Sequence, residues 1–470
     1  MWKKCTAPLI GLGLLLATAG SSFAAGFALI EQSVSGLGNA FAGGAASAED
    51  ATTVFFNPAG MMLLEGQEVT SALHVIMPST KFTAEQAPTN ALTGPIRDSN
   101  SLPMTAGSSG GDGGVTGIAP NFYYVNRLSE KMAIGLGINA PFGLATKYDK
   151  TWIGRYHAVE SDVMTININP SIAYRATEKL SIGAGFNAQY IEATLSSMID
   201  FGLKAAILNP ALAATPVPSN PNADVFSELN ADDWSFGYNL GLLYEFTPET
   251  RMGFAYRSKI KHKLEGDAKF NIQNPTWLSN VDPALLAMAQ ATFVKQGAYG
   301  SIELPASASL SYFHQATPEL AIMADITWTE WSSFDSLVMN FEGTLADSPS
   351  ITTENWDDTW RYSIGATYQL NEKLVLRAGV AFDETPISDE HRTPRIPGED
   401  RTWVSLGCGY QFTDKLSMDV AYAHLFVSDS KMEKYATDEG ADDEDLARGT
   451  VVGEFENAVD IASIQLSYKF

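Results

Sequence analysis

The chain ends on Asp460-Ile461-Ala462-Ser463-Ile464-Gln465-Leu466-Ser467-Tyr468-Lys469-Phe470, and this stretch decides the fold. Its last apolar residues stand at every second position: Ile464, Leu466, Tyr468 and Phe470. Polar residues fill the positions between them: Ser463, Gln465, Ser467 and Lys469. Because successive side chains of a β-strand point to opposite faces, the pattern predicts a strand with one apolar and one polar face.

The same alternation recurs in earlier segments, near 180–190, 234–246 and 416–426. The strands of a soluble sandwich alternate in this way as well. Two details favour a membrane barrel. The polar face is rich in Gly, Ser and Asn instead of long charged residues, and aromatic residues collect near the strand ends, as in the aromatic girdles of outer-membrane barrels.

Short turns and long loops alternate along the chain. Short polar turns join alternating runs at 128–131, 176–179, 247–250, 317–319, 371–373 and 413–415. Longer polar insertions lie at 83–116, 144–162, 197–233, 270–301, 343–353, 387–400 and 431–454. Short turns at one end and long loops at the other are typical of a bacterial outer-membrane barrel. We therefore predict an all-β fold, a 14-stranded antiparallel transmembrane β-barrel over residues 67–470.

The predicted strands follow from the alternating runs. They are expected at 67–82, 117–127, 131–143, 163–175, 179–196, 234–246, 251–269, 302–315, 320–342, 354–370, 374–386, 401–412, 416–430 and 455–470.

Residues 1–24 have the pattern of a secretory signal peptide. Lys3 and Lys4 precede an apolar core at 9–17, and Ser22-Phe23-Ala24 supplies small residues at the cleavage position. The core is too short to span ~30 Å of hydrocarbon, and no later run of 18 apolar residues exists, so a helical membrane protein is not expected. Cys408 then remains as the single cysteine of the mature chain, which excludes an intramolecular disulfide.

Composition excludes several functional classes. The 470 residues include 54 Asp+Glu against 30 Lys+Arg, a formal net charge of -24, which disfavours nucleic acid as a partner. The 6 His show no metal-ligand spacing, so neither a metal nor another cofactor is predicted. The acidic stretch 429–460 peaks at 442–445. It is interpreted as a solvated loop, bridged by divalent ions to lipopolysaccharide, with a calcium site as the alternative.

Residues 25–66 do not alternate. The segment is rich in Gly and Ala and too apolar for a solvated tail. A barrel of 14 strands has a lumen wider than its own side chains fill. We therefore predict that residues 25–66 form a plug, or hatch, of short helices and tight turns inside the barrel.

Several motifs follow one another along the mature chain: Ala25-Gly26-Phe27, Ser35-Gly36-Leu37-Gly38, Asn57-Pro58-Ala59, Gly143-Leu144-Ala145-Thr146, Trp234-Ser235-Phe236-Gly237-Tyr238-Asn239, Leu304-Pro305, Trp328-Thr329-Glu330-Trp331-Ser332, Phe382-Asp383-Glu384-Thr385-Pro386 and Asp400-Arg401-Thr402-Trp403. In order and spacing they resemble the outer-membrane long-chain fatty acid transporter family (FadL), which includes aromatic-hydrocarbon uptake members. The resemblance covers nearly the whole mature chain. It implies a barrel closed by an N-terminal hatch, with Phe27, Asn57, Pro58 and Ala59 in gating.

The resemblance also implies a side opening at an inward kink in the third strand. The residues support such a kink, because Asn139-Ala140-Pro141-Phe142-Gly143 interrupts that strand. Pro141 removes a ladder donor and Gly143 permits unusual dihedral angles. We expect a lateral opening at Asn139, Pro141, Phe142 and Gly143. The alternative is an ordinary bulge near a strand end.

A transported fatty acid needs an apolar tunnel. The candidates, besides Phe27, are Leu29, Leu203, Ile207, Leu285 and Phe293. Two apolar loop stretches, 203–214 and 283–294, are expected to be helical. They either capture lipid outside the cell or pack against each other, and the sequence leaves both open.

The carboxylate of a fatty acid needs a basic partner. Alternation predicts that five bases face the lumen: Arg257, Lys259, Lys261, Arg361 and Arg377. The alternative for each is a pair with a lumen acid such as Glu245 or Asp383. Val338 stands where some fatty acid transporters carry Lys, which leaves neutral hydrocarbons open as substrates.

The function expected from these features is passive uptake of hydrophobic compounds across the bacterial outer membrane. The steps are capture by loops, rearrangement of the hatch and lateral exit at strand three, with long-chain fatty acids as substrates. The alternatives are aromatic or alkane hydrocarbons, and a lipid hydrolase with a Ser–His pair on the wall. The apolar plug argues against a polar porin. We expect a monomer without enzymatic activity, with the barrel assembly machinery and outer-membrane lipid, including lipopolysaccharide, as partners.

Overall fold

The computed structural model describes residues 26–92, 94–436 and 443–470. The predicted signal peptide, 1–24, lies outside the described residues, as does Asp442 of the acidic peak. Within the described part of the chain, no helix is long and apolar enough to cross a membrane.

Over the described residues, fourteen antiparallel strands form the wall, as the alternation and the turns predict. Strands β1 to β7 are Gln67–Ala84, Gly117–Arg127, Met132–Asn139 continued by Gly143–Lys147, Glu160–Arg175, Leu180–Ile199, Val225–Thr247, and Thr250–Arg257 continued by Ile260–Ile272. Strands β8 to β14 are Gln296–Leu304 with Ser307–Gln315, Leu320–Thr329 with Ser336–Phe341, Ser350–Thr353 with Thr359–Asn371, Leu374–Asp383, Arg401–Thr413, Leu416–Val427 with Ser430–Lys434, and Val451–Lys469. Each strand pairs with its neighbours in sequence.

The barrel closes because β14 pairs with β1. The register runs from Glu68 opposite Lys469 to Ala84 opposite Gly453. Phe470 N donates to Gln67 O at 3.0 Å, so both ends of the wall lie at the end that carries the short turns. In a bacterial barrel the short turns face the periplasm and the long loops face outward, which makes this the periplasmic end.

The two faces of the wall differ as the alternation predicts. Leu466 and Tyr468 of β14 are exposed on the outer face, whereas Gln465 and Ser467, which alternate with them, are buried towards the lumen. On β6 the exposed outer face is continuously apolar from Trp234 to Phe246. These positions form the apolar belt that contacts lipid, with aromatic residues at both edges.

The hatch fills the lumen with short helices, which confirms the prediction of a helical plug. Its helices are Val34–Gly38, Gly44–Ser47 and Thr53–Phe56, followed by the 3-10 helix Pro58–Leu63. Ser33 caps the first of them, its Oγ accepting from Gly36 N at 3.0 Å. The wall makes room for the hatch with glycine: a Cβ at Gly241 would collide with Asn57 Oδ1.

Two strands begin clearly before their predicted starts: β8 begins at Gln296, whereas the prediction placed its start at 302, and β6 differs more. Strand β6 begins at Val225, whereas the alternation placed its start at 234. Residues 225–233 continue the ladder with β5 and β7 above the apolar belt. Here Val225, Leu229 and Ala231 are buried towards the inside, whereas Glu228, Asn230 and Asp232 face outward. This part of the strand therefore lacks the apolar outer face by which the other strands were recognised.

Candidate functional site

Strand β3 is broken where the sequence predicts it. Asn139 pairs with Asn167 of β4, and the next paired residue, Gly143, faces Met164. Residues 140–142 therefore have no ladder partner on β4. Thr165 holds the strand there with its side chain: Phe142 N donates to Thr165 Oγ1 at 3.0 Å, and Thr165 Oγ1 donates to Phe142 O at 2.7 Å.

On its other side β3 also leaves β2. The ladder between them ends at the pair Phe122–Ile138, and the next bridge towards the loops is Gly114–Thr146. Within the described residues, no backbone pairing joins the two strands in this interval. We call the interval the window. It is larger than an ordinary bulge, because a whole stretch of β2, 117–121, lacks a partner on this side.

The hatch covers the window from within. Residues 27–32, the hatch segment, run antiparallel to the broken part of β3. Leu29 N donates to Pro141 O at 2.8 Å, and Gly143 N donates to Phe27 O at 2.9 Å. These bonds place Ala28 opposite Phe142. The hatch segment thus supplies the backbone partners that the neighbouring strands do not.

Two polar residues attach the hatch segment to both edges of the window. Gln32 Nε2 donates to Ala140 O at 2.8 Å on β3, while its Oε1 accepts from Tyr123 OH at 3.2 Å on β2. Asn121 Nδ2 of β2 donates to the backbone O of Glu31 at 2.8 Å. Neither Gln32 nor Asn121 is among the residues predicted from the sequence. The signal was present, since Glu31-Gln32 is a polar pair inside a segment predicted to be buried.

Phe27 lies at the centre of an aromatic cluster. Its ring centroid is 5.9 Å from that of Phe142, 5.0 Å from Trp331, 5.7 Å from Phe334 and 6.0 Å from Trp356. Phe142 and Trp331 line one cavity, whereas Phe27 and Phe334 line a second. The cluster therefore contributes walls to both cavities, and Phe27 belongs to the hatch segment that covers the window.

The first cavity, the lumen cavity, has a volume of about 160 Å³. Its walls are mostly apolar and come from the hatch, the broken strand and the barrel: Ala28, Leu29, Ile30, Phe56, Pro58, Pro141, Phe142 and Trp331. Its charged groups are Arg257, Arg361 and Asp383. The second cavity is about 40 Å³, lies among Leu144, Ile191, Leu264 and Ile302, and includes Glu354 and Arg395 in its lining.

Arg361 is the base best suited to receive a carboxylate. Its Nη2 donates to Ala40 O at 2.8 Å, but Nε and Nη1 are buried and have no hydrogen-bond partner among the described residues. Asp383 is the neighbouring acid in the cavity, and it is already engaged by Arg401 at 2.8 Å. Buried N–H groups without acceptors are costly, so an anion that binds them is favoured.

The other two predicted arginines, Arg257 and Arg377, already have hydrogen-bond acceptors. Arg257 also lines the lumen cavity, but its Nη1 donates to Asn187 Oδ1 at 2.8 Å and its Nη2 to Phe55 O at 3.0 Å. Arg377 lies away from the cavity, between Asp419 at 2.7 Å and Glu49 at 3.0 Å.

The inward orientation predicted for Lys259 and Lys261 is wrong. Strand β7 is interrupted at Ser258 and Lys259, and the interruption shifts the alternation by one residue. Ala255 and Ile260 consequently both face inward. Lys259 and Lys261 are exposed on the outer wall, where Lys259 Nζ pairs with Glu303 at 2.7 Å.

The apolar loop residues do not reach the lumen cavity. The predicted helices form at Phe201–Leu208 and Pro283–Thr292. Their inner faces pack against each other, with the rings of Phe201 and Phe293 6.0 Å apart and Leu285 in the same cluster. Leu203 is buried as well, whereas Ile207 is 59% exposed at the outer tip. Only Leu29 of the tunnel candidates in the described residues lines the lumen cavity.

The Asn57-Pro58-Ala59 motif anchors the hatch to the wall. Asn57 Nδ2 donates to Ala45 O at 2.6 Å within the hatch and to Leu242 O at 2.9 Å on β6. Its Oδ1 accepts from Ala59 N at 3.0 Å, and Pro58 opens the 3-10 helix. These side chains therefore join two turns of the hatch to one strand.

Other chemistry has little support in the described residues. No group of three or more His, Cys, Asp and Glu there is arranged to hold a metal ion. A Ser–His pair does exist, since His74 Nδ1 lies 2.7 Å from Ser463 Oγ. His74 is completely buried, and its Nε2 has no partner in the part of the chain that the structure describes. The pair thus lacks the acid that orients the imidazole of a hydrolase.

Comparison with known proteins gives a consistent result. The family model described as outer membrane protein transport protein (OMPP1/FadL/TodX) matches residues 15–470. Outer membrane protein P1 of Haemophilus influenzae is 35% identical over 439 residues, covering 90% of each chain. The long-chain fatty acid transport protein of Salmonella typhi is 30% identical over 406 residues, covering 86% of this chain and 88% of that protein.

Solved structures agree with the fold. A Pseudomonas aeruginosa FadL homologue superposes with a TM-score of 0.81 at 27% identity, covering 95% of this chain and 100% of that one. The CymD monoaromatic hydrocarbon channel gives a TM-score of 0.61 at 22% identity, with 95% and 98% covered, and supports the fold alone.

Proposed function

This chain belongs to the OMPP1/FadL/TodX family of outer membrane transport proteins, and from that premise we propose that it takes up long-chain fatty acids. As a member of this family it is an outer-membrane transporter of hydrophobic compounds. The proposal concerns its substrate class and its route.

The observation that carries the substrate proposal is Arg361 in the lumen cavity. An apolar cavity suits an acyl chain, and a buried guanidinium with Nε and Nη1 unpaired suits one carboxylate. Arg257 lines the same cavity as a second positive group. A neutral hydrocarbon would leave Nε and Nη1 of Arg361 without an acceptor, so it gains less from the site than a fatty acid.

Aromatic or alkane hydrocarbons are the second candidate. The observation that favours them is the second cavity, whose walls are almost entirely apolar. Leu337 lines that cavity, and the next residue is Val338, which stands where some fatty acid transporters carry Lys. A hydrocarbon would bind there against the apolar side chains, while Glu354 and Arg395 contribute the charged part of the lining.

The proposed route begins at the exposed tip of the loop helix Phe201–Leu208 and passes through the second cavity to the lumen cavity. The aromatic cluster around Phe27, which contributes walls to both cavities, separates the second cavity from the lumen cavity on this route. The hatch segment then leaves the window, and the ligand moves sideways between β2 and β3 into the membrane. This exit keeps an apolar molecule out of the aqueous periplasm, because exposing each CH₂ group to water costs about 0.8 kcal/mol of transfer free energy.

We propose that the barrel acts without enzymatic chemistry, as a monomer inserted by the barrel assembly machinery. The family's transport activity requires no reaction at the buried His74–Ser463 pair. Uptake is passive, driven by the gradient of the ligand.

The substrate proposal is tested by transport into cells that lack their own uptake system for both ligands. We expect saturable uptake of labelled oleate, and competition by other long-chain fatty acids but not by toluene. Uptake of toluene without uptake of oleate would contradict the fatty acid proposal and favour the hydrocarbon alternative. Uptake of neither would contradict both.

A further inference from the structure

Three lysines form a stripe on the outer wall of the barrel. Lys259, Lys261 and Lys263 alternate along β7 and are all exposed, whereas Ile260, His262 and Leu264 between and beyond them are buried. Residues two apart on a strand lie about 7 Å from each other, so the three ammonium groups follow one line. In a chain with a net charge of -24, three adjacent outward lysines are a local exception.

The stripe lies at the outer edge of the apolar belt. Ser235 Oγ donates to Lys261 O at 2.7 Å, and Lys263 N donates to Asp233 Oδ2 at 3.0 Å. These bonds place Lys261 and Lys263 beside Trp234, the last exposed aromatic residue of β6 towards the loops, whereas Lys259 lies nearer Tyr238, because Ser258 N donates to Tyr238 O at 2.9 Å. Trp and Tyr at such a position mark the boundary between hydrocarbon and head groups. Lys261 and Lys263 are therefore at the level of lipid head groups in the outer leaflet, and Lys259 lies below them, from where its long side chain extends towards the same level.

The positive charge of the stripe is only partly balanced by the protein. Lys259 Nζ pairs with Glu303 at 2.7 Å. On β8, Glu303 stands opposite Lys261 but its carboxylate pairs with Lys259, and Ser301 stands opposite Lys263. Among the described residues, no carboxylate forms an ion pair with Lys261 or Lys263. Two ammonium groups are thus directed towards the lipid phase boundary, where an uncompensated charge is unfavourable unless an anion binds.

Acidic residues limit the stripe on the loop side. Glu265 of β7 lies opposite Asp232 of β6, and Asp232 lies opposite Glu192 of β5. All three are exposed on the outer wall. They repel an anion held further outward. A bound phosphate is therefore favoured at the level of the lysines, with its acyl chains along the apolar belt below.

We propose that Lys259, Lys261 and Lys263 bind the phosphate groups of the phosphorylated glycolipid of the outer leaflet, lipopolysaccharide. The charge complementarity, the position beside Trp234 and the apolar surface towards the periplasm together fit an anionic head with acyl chains. The site lies on the outside of the wall and is independent of the transport route.

The test compares two triple variants of the full-length barrel, purified in detergent. One is Lys259→Gln, Lys261→Gln, Lys263→Gln. The control removes the same charge at the periplasmic turns, by Lys131→Gln, Lys179→Gln, Lys415→Gln. Binding of lipopolysaccharide, of its dephosphorylated form and of phosphatidylglycerol is measured by native mass spectrometry. The resistance of the barrel to unfolding by detergent without heating verifies that both variants are folded.

We expect the wild type and the control to bind lipopolysaccharide with equal affinity. The affinity of the stripe variant for lipopolysaccharide should be lower by roughly tenfold or more. Dephosphorylation of the lipid should abolish the difference between the proteins. Equal binding of lipopolysaccharide by the folded stripe variant would overturn the proposal. Equally tight binding of phosphatidylglycerol by the wild type would overturn the choice of the glycolipid as occupant.

Discussion

At the scale of single residues, Arg361 combines a place in the lumen cavity with two N–H groups that lack acceptors. We predict that Arg361→Gln weakens binding of oleate about tenfold to a hundredfold, because a hydrogen bond to a charged group contributes roughly 1.5–3 kcal/mol. Binding of toluene should hardly change. Isothermal titration of the detergent-solubilised barrel with each ligand measures both effects.

The control variants separate charge from cavity shape. Arg361→Lys keeps the positive charge and should recover part of the oleate affinity. Lys415→Gln removes a positive charge from an exposed turn and should leave oleate binding unchanged. An equal loss of oleate and toluene binding in Arg361→Gln would mean that the cavity had collapsed, which contradicts a specific role in binding carboxylate.

Glu31 makes the closed hatch sensitive to pH. Both of its carboxyl oxygens are buried without a hydrogen-bond partner among the described residues, and burial raises the pKa of Glu31 from 4.5 to about 7. Arg401 and Arg361 oppose this shift and Asp383 adds to it. The closed hatch therefore binds the proton more tightly than a hydrated, withdrawn one. The stability of the closed hatch falls as pH rises from about 4.5 to about 7 and is level above that.

Hydrogen exchange of the amides in residues 27–32, corrected for intrinsic rates, measures this dependence. We predict that protection in the wild type decreases between pH 5 and pH 7, and that Glu31→Gln, which resembles the protonated form, removes the decrease. Glu319→Gln changes an exposed turn and serves as the control. An unchanged pH dependence in Glu31→Gln would assign the effect to another group.

At the scale of elements, the hatch segment and the window of β3 complete each other. Gln32 contacts Leu29 O, Ala140 O and Tyr123 OH at once. We predict that Gln32→Ala destabilises the closed arrangement by about 2 kcal/mol, since it removes these bonds and leaves a buried carbonyl unpaired. Faster exchange of the Leu29 amide measures the effect.

An exposed glutamine provides the matched control for this variant. Gln315→Ala removes a side chain that donates to Thr317 O at 2.8 Å in a periplasmic turn. Its effect on the Leu29 amide should be negligible. Equal protection of that amide in Gln32→Ala and in the wild type would show that the backbone bonds alone hold the hatch segment.

The elements also show what sequence is able to predict. Alternation with an apolar outer face locates a strand wherever lipid contacts that face, as at 460–470. It failed at 225–233, where the apolar residues face inward and the outer face is polar. Alternation also predicted the wrong orientation for Lys259. The interruption of β7 at Ser258 and Lys259 changes which residues face inward, and no proline marks it in the sequence as Pro141 marks the break in β3. The break at Pro141 was predictable, since proline lacks the donor that a ladder needs.

At the scale of the whole molecule, the protein is a rigid wall with a separate hatch inside it. The wall follows from local patterns repeated along the chain. The contact of residues 27–32 with residues 140–143 joins segments far apart in sequence, and nothing local specifies it. The site was therefore predictable in its parts, such as Phe27, Pro141 and Arg361, but its assembly and its Gln32 and Asn121 contacts required the fold.

The central claim is that the hatch segment must leave the window for a ligand to pass. Ala28 and Phe142 face each other as an antiparallel pair flanked by two backbone bonds. The Cα atoms of such a pair lie about 4.5 Å apart, close enough for a disulfide. Ala28→Cys with Phe142→Cys, in a Cys408→Ala background, should therefore lock the hatch segment onto β3 on oxidation.

The measurement is oleate uptake by proteoliposomes containing this locked barrel, before and after reduction, with each single cysteine variant as a control. We predict that uptake is abolished in the oxidised double variant and restored by dithiothreitol, while the single variants do not respond to redox conditions. Uptake by the oxidised protein at the rate of the reduced protein, with the disulfide verified by mass spectrometry, would contradict the account.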